Sequence, residues 1–191
     1  MLVIFDYSGV IADDLHMSWV IVSDIIKSNG KNTDTLEEFR ENFTIPYWKY
    51  LIAKGFPDNI NESNEIPKRY VKEYMNNLDK IRPFPDVVDA VQKIHKNGHS
   101  IVILSHTPRK ILDESLRLWG ISGYFVRVFG REDFEKQKPL PHPIIEIMHM
   151  LGFDTTNTIM IGDMKEDIQS AKTAGITSVA VSKKTSYHTR E

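Results

Sequence analysis

Five short apolar runs punctuate the chain: LVIF (2–5), SIVILS (100–105), VRVF (126–129), TIMIG (158–162) and SVAV (178–181). Each is bounded by polar or glycine turns and lacks strict alternation, the pattern of strands in a parallel sheet covered on both faces. Between the runs, hydrophobic residues recur at helical spacing. Val87, Val88, Val91 and Ile94 form one stripe; Ile111, Leu112, Leu116 and Trp119 a second; Ile144, Ile145, Met148 and Leu151 a third. Each stripe stops near a glycine, at Gly98, Gly120 and Gly152. This order of strands and helices predicts an α/β, doubly wound parallel sheet.

One stretch interrupts the alternation. From His16 to Arg82 the pattern is helical throughout: MSWVIVSDIIKSNG, TLEEFRENF and PYWKYLIAKGF, then the loop PDNINESNEIP, then KRYVKEYMNNLDK, where Tyr70, Val71, Tyr74, Met75 and Leu78 share a face. The expected organisation is therefore an α/β core formed by residues 1–15 and 83–191, with an all-helical cap over 16–82. Trp19, Trp48, Tyr70 and Tyr74 are expected in the cap's own core.

A length of 191 residues, 41% hydrophobic and 26% charged, suits a soluble globular chain. The net charge of -2 gives no field for nucleic acid or an anionic membrane. With no cysteine in the chain, disulfides and thiolate zinc sites are excluded. The apolar run before Asp6 is too short for a signal peptide, and none approaches the ~18 residues of a membrane span. These features predict a cytoplasmic protein whose partner is a small molecule, not nucleic acid or membrane.

The chemistry concentrates at strand ends, where open parallel sheets bind ligands. Asp6 ends the first strand, Ser105 the second, and Asp163 the TIMIGD strand. Asp167 follows four residues later, at the opening of a helix and on roughly the same face. Three converging carboxylates repel one another unless a cation sits among them. Oxygen-only donors indicate a hard ion, of which Mg²⁺ is the commonest. Such an ion usually takes phosphate as a further ligand. Ser105, followed by HTPRK at a helix start, offers a hydroxyl and amides to an anion. Lys138, in KQKPLPHP, offers a positive charge. An aspartate beside a metal and facing phosphorus can attack it and form an aspartyl-phosphate.

These residues resemble the haloacid dehalogenase superfamily, in its phosphoglycolate phosphatase/β-phosphoglucomutase-like branch with a helical cap. FDYSGV resembles the first motif, DxDG after an apolar strand; VILSH the second, KPLP the third, and GDMKED the fourth, GDxxxD. The resemblance implies a Rossmann-like core and a Mg²⁺-dependent phosphohydrolase acting on a small phosphorylated metabolite. It implies Asp6 as nucleophile and metal ligand, with Asp163, Asp167 and the Ser8 carbonyl completing the metal site. Ser105 and Lys138 would hold the phosphoryl group, and His106 is a candidate for substrate contact.

Position 8 departs from the pattern. In the family's phosphatases and mutases the acid two residues after the nucleophile protonates the leaving group and then activates water. A serine hydroxyl does neither well, and general acid–base help is typically worth about 10²–10⁴ in rate. Two alternatives follow: a weakly catalytic protein that binds a phosphometabolite or a protein partner, and a phosphonatase-like C–P hydrolase with Lys49 or Lys54 as a Schiff-base lysine. His95, His99, His142 and His149 have no ligand-like neighbours in sequence, and SKKTSYHTRE reads as a solvated end.

Overall fold

The computed structural model describes residues 1–60, 65–185 and 187, so part of the loop expected at 57–67 lies outside the described residues. The chain divides into two compact units, one formed by Met1–Asp13 with Arg82–Glu191, the other by Asp14–Ile81.

In the first unit, β1 (Leu2–Phe5), β4 (Ser100–Leu104), β5 (Arg127–Phe129), β6 (Thr158–Gly162) and β7 (Thr177–Ala180) form, among the described residues, a five-stranded sheet. All pairings are parallel and the order is β5-β4-β1-β6-β7. The five apolar runs are these five strands. The helices α5 (Pro85–Lys96), α6 (Arg109–Leu118), α7 (His142–Leu151) and α8 (Lys165–Ala174) alternate with them. The first three carry the three hydrophobic stripes, and α7 ends on Gly152, whose φ of 71° only glycine adopts without strain. β1 and β4 are buried on both faces, which explains their unbroken apolarity. Leu2, Ile4, Val102, Leu104 and Met160 pack there with Ile144, Ile147 and Met148 of α7.

Two short strands escape the sequence reading. β2 (Ala12–Asp13) and β3 (Arg82–Pro83) pair antiparallel, Ala12 opposite Pro83 and Asp13 opposite Arg82. Two residues are too few for any periodicity, and the partners lie some seventy positions apart. The pair stands where the chain leaves the first unit and returns to it.

The second unit contains α1 (Leu15–Ser28), α2 (Leu36–Asn42), α3 (Tyr47–Ala53) and α4 (Glu65–Asn76). Helix α2 begins with a capping box, in which the Glu38 amide donates to Thr35 Oγ1 and the Thr35 amide to Glu38 Oε2 at 2.8 Å. Helices α1 and α4 are joined by polar contacts, Ser18 Oγ with Tyr70 OH at 3.0 Å and Arg69 Nη1 with Ser28 Oγ at 2.5 Å. Tyr74, fully buried, donates to Asp14 Oδ2 at 3.0 Å. Trp19 Nε1 donates to the Asp34 carbonyl at 2.9 Å. Among the described residues no helix is long and apolar enough to cross a membrane.

Ile4 is 0% exposed at the centre of the sheet, whereas Val179 on the edge strand β7 is 43% exposed. Urea unfolding should therefore show Ile4→Ala costing about 2–5 kcal/mol, and Val179→Ala about 0.5 kcal/mol or less.

Candidate active site

The strand order turns back on the two sides of β1, and the carboxyl ends of β1, β4 and β6 meet there. Asp6 directly follows β1, and its amide donates to the Ile161 carbonyl at 2.8 Å, which extends the β1–β6 register by one residue. Ser105 follows β4 in the same manner, with its amide on the Phe129 carbonyl at 3.0 Å. Asp163 follows β6, and Asp167 lies in the first turn of α8. Asp6, Asp163 and Asp167 are all buried, and one carboxylate oxygen from each lies within 4.8 Å of the others.

Lys138 binds this cluster together. It is 4% exposed, and its Nζ donates to Asp6 Oδ1 at 2.8 Å, Asp167 Oδ1 at 2.5 Å and the Leu104 carbonyl at 2.9 Å. Burial alone would push the ammonium pKa down, but Asp167 and Asp6 overcome this and hold it above its ordinary value. Asp167 is shifted upward to about 7, first by burial and then by the charge of Asp6, with Lys138 acting against both. Its Oδ2 also accepts the Met164 amide at 3.1 Å, capping α8.

Two glycines make the approach of these acids feasible. Gly9 has φ of +74°, and a Cβ on it would lie 2.2 Å from Asp163 Oδ2. A Cβ on Gly162 would lie 2.3 Å from the Asp167 Cβ. The space a side chain would fill is occupied by the acids.

The neighbouring polar residues are linked in turn. Ser105 is buried, and its Oγ accepts the Thr107 amide at 3.2 Å, which leaves the hydroxyl proton to donate elsewhere. Of the amides at the start of α6, that of Arg109 is already engaged by Glu132 Oε1 at 3.1 Å. Ser8 Oγ lies 3.4 Å from Thr107 Oγ1, a residue the sequence reading did not single out. His106 Nε2 lies 3.1 Å from the Lys138 carbonyl, so the ring braces the segment that carries the lysine. Burial first, and the Lys138 charge second, push its imidazole down to about 4. His106 is therefore neutral at pH 7 and a poor source of a proton. The other positively charged candidate, Lys54, is engaged within the helical unit by Asp34 and lies 5.5 Å from the Tyr50 ring centroid.

The segment after β7 requires a correction. It was expected to be a solvated end, yet Lys183 is bound to Asp86 and Tyr187 is 4% exposed, with its amide on Asp163 Oδ2 at 2.9 Å. Its run of polar residues hides one aromatic whose burial depends on a partner 24 positions away. His188–Glu191 lie outside the described residues.

A family model described as haloacid dehalogenase-like hydrolase matches residues 3–181. The chain belongs to that family. Within it, the chain stands in the phosphoglycolate phosphatase-like branch of phosphatases. Phosphoglycolate phosphatase of Aquifex aeolicus is 24% identical over 178 residues, 91% of this chain and 80% of that protein. Pyrophosphatase PpaX of Halalkalibacterium halodurans is 30% identical over 125 residues, 65% of this chain and 57% of that protein. CbbY from Rhodobacter sphaeroides, solved in complex with phosphate, shares the fold with a TM-score of 0.81 at 16% identity, covering 99% of this chain and 89% of that one.

In this hydrolase the buried histidine has a pH signature. With a folded-state pKa of about 4 against an ordinary 6.5, the unfolded chain binds the extra proton between those values. The His106 contribution to stability is therefore complete above pH 6.5 and is lost as pH falls toward 4, by at most about 1.4 kcal/mol per pH unit. Asp167, raised in the folded state, acts in the opposite direction between its ordinary 3.8 and about 7. Comparing His106→Asn with wild type isolates the histidine. The wild type should lose stability to the variant steadily between pH 6.5 and 4.5 in urea titrations of metal-free protein.

Proposed function

We propose that the protein is a Mg²⁺-dependent phosphohydrolase that removes the phosphoryl group from a small phosphorylated molecule, with Asp6 as the nucleophile. The observation that carries this reading is the clustering of Asp6, Asp163 and Asp167, with carboxylate oxygens within 4.8 Å of one another and the Lys138 ammonium paired to two of them, Asp6 and Asp167. Three buried carboxyl groups beside one lysine are an excess of acid that one divalent cation would offset. The donors are all oxygens, as a hard ion requires. Asp6, Asp163 and the Ser8 carbonyl would hold the ion, with Asp167 supporting it directly or through water. When bound, the metal stabilises negative charge on the phosphoryl oxygens.

The residues of the chain do the rest. A carboxylate oxygen of Asp6 attacks phosphorus, and the bond from phosphorus to the leaving oxygen breaks with its electron pair going to that oxygen. Water then attacks the aspartyl-phosphate, releasing inorganic phosphate and restoring the Asp6 carboxylate. The Ser105 hydroxyl offers a hydrogen bond to the transferring group, and the Lys138 ammonium, whose three N–H bonds go to Asp6, Asp167 and Leu104, offers it a positive charge. Lys138 also holds the Asp6 carboxylate in place through its bond to Oδ1.

Ser8 decides which substrates are turned over well. With no carboxylic acid at position 8, and with His106 neutral, the leaving group must carry its own negative charge. Acyl and aryl phosphates and phosphoanhydrides meet that demand; sugar and alkyl phosphates do not. A phosphoanhydride is the bond named for the Halalkalibacterium halodurans relative. A second reading, a protein that binds a phosphometabolite with little turnover, draws on the same serine. The C–P hydrolase reading has less support, because Lys54 is committed to Asp34 and Lys49 is exposed.

Calorimetry with Mg²⁺ tests the metal: the binding signal should vanish in Asp163→Asn, and unchanged affinity there would remove the assignment. Substrate panels test the serine. Acetyl phosphate and p-nitrophenyl phosphate should be hydrolysed well and phosphoglycolate-like esters poorly. Ser8→Asp should raise the alkyl ester rate by up to ~10²-fold. The activated substrates should gain less wherever formation of the aspartyl-phosphate limits turnover, which a burst-phase measurement establishes. No turnover of any of these substrates, with phosphate still bound, favours the binding reading.

A further inference from the structure

The segment that follows β7 runs back to the acid cluster through a series of fixed points. The Val181 amide donates to the Gly162 carbonyl at 2.8 Å, which continues the β6–β7 register past the strand end. Lys183 then turns to α5: its Nζ meets Asp86 Oδ1 at 2.5 Å and lies 4.2 Å from the centroid of the Phe84 ring. Beyond it Tyr187 enters the site. Its amide donates to Asp163 Oδ2 at 2.9 Å, and its ring covers Gly9, where an added Cβ would lie 3.1 Å from Tyr187 Cδ2.

We propose that Tyr187 is a positioning residue for the metal ligand Asp163, its main-chain N–H fixing one carboxylate oxygen so that the other is presented to the cation. This rests on the metal reading given above. An N–H donor to a carboxylate is a charge-assisted bond, stronger than a neutral pair and more so where water is excluded. Here Asp163 and Tyr187 are both buried, and the Tyr187 ring lies against Gly9 of the Asp6–Ala12 loop. A carboxylate with both oxygens loose would have to be ordered when the ion arrives. One with an oxygen already held loses less freedom on binding. Partners of this kind behind a metal ligand typically contribute about 10–100-fold in affinity. The Lys183 contacts with Asp86 and Phe84 hold the segment in place, and through it the Tyr187 amide.

The test is titration calorimetry with Mg²⁺ on the full chain, read together with the rise in thermal midpoint that Mg²⁺ produces. Tyr187→Pro removes the N–H and should weaken Mg²⁺ binding about 10–100-fold, with the metal-free midpoint little changed. Tyr187→Phe keeps both amide and ring and should bind as wild type does. Lys183→Met should weaken binding several-fold by loosening the segment. Wild-type affinity in both Tyr187→Pro and Lys183→Met would overturn the proposal. So would tighter binding in either, since the segment would then be obstructing the ion. A wild type that binds no Mg²⁺, or an Asp163→Asn variant that binds it undiminished, would instead refute the metal site itself and this inference with it. Loss of affinity in Asp163→Asn with none in Tyr187→Pro leaves the site standing and refutes only the role of Tyr187.

Discussion

A single buried ammonium holds the acidic end of this sheet together. Lys138 reaches Asp6, Asp167 and the Leu104 carbonyl at once, and so ties the ends of β1 and β4 to the start of α8. Taking these charges out of water is expensive, and only close pairing offsets that cost. Removing the lysine would leave two carboxylates facing one another in a place of low dielectric. The rest of the site is arranged around this constraint. Gly162 and Gly9 give the acids room, Asp167 caps α8 by accepting the Met164 amide, and the braces behind the cluster keep each carboxylate from swinging away.

Those braces extend well beyond the acids. Tyr7, between Asp6 and Ser8, is fully buried; its hydroxyl donates to Ser115 Oγ at 2.6 Å, and Ser115 donates to the Ile111 carbonyl at 2.6 Å. Its ring stacks on Trp119 with centroids 6.0 Å apart. The loop that carries Asp6 is therefore anchored to α6 by a hydrogen-bond chain and an aromatic pair. His106 does the same for the lysine segment from the other direction. A phosphoryl-transfer site depends more on positioning than on covalent chemistry by the protein. In this chain much of that positioning comes from residues that are not themselves acids or bases.

The family resemblance and the geometry agree on the acids and differ in emphasis on their neighbours. His106, a candidate for substrate contact in sequence, is buried beside a lysine that helps push its imidazole down to about 4, and its Nε2 lies 3.1 Å from the Lys138 carbonyl. Ser8 lies beside Thr107 instead, so two hydroxyls stand where the family's pattern has a carboxylate. Hydroxyls can orient water or a leaving oxygen but do not titrate near neutrality. In the function proposed above, the choice of substrate therefore depends on leaving-group chemistry.

The local pattern determined the strands, the helices of the α/β unit and the helical character of the stretch read as 16–82. Buried parallel strands must be apolar throughout, and amphipathic helices must repeat near every 3.6 residues. Asp6, Ser105 and Asp163 were legible for the same reason: a polar residue directly after such a strand stands at the sheet's carboxyl edge. Only tertiary structure decided how Lys138 is used, because its three partners come from positions 6, 104 and 167, and no local pattern relates them. The same holds for β2 and β3, for the Ser8–Thr107 contact and for Tyr187 on Asp163. Each is a pairing of short polar or aromatic groups far apart in the chain. Periodicity records which face of an element is buried, and it carries no record of which distant group will be met there.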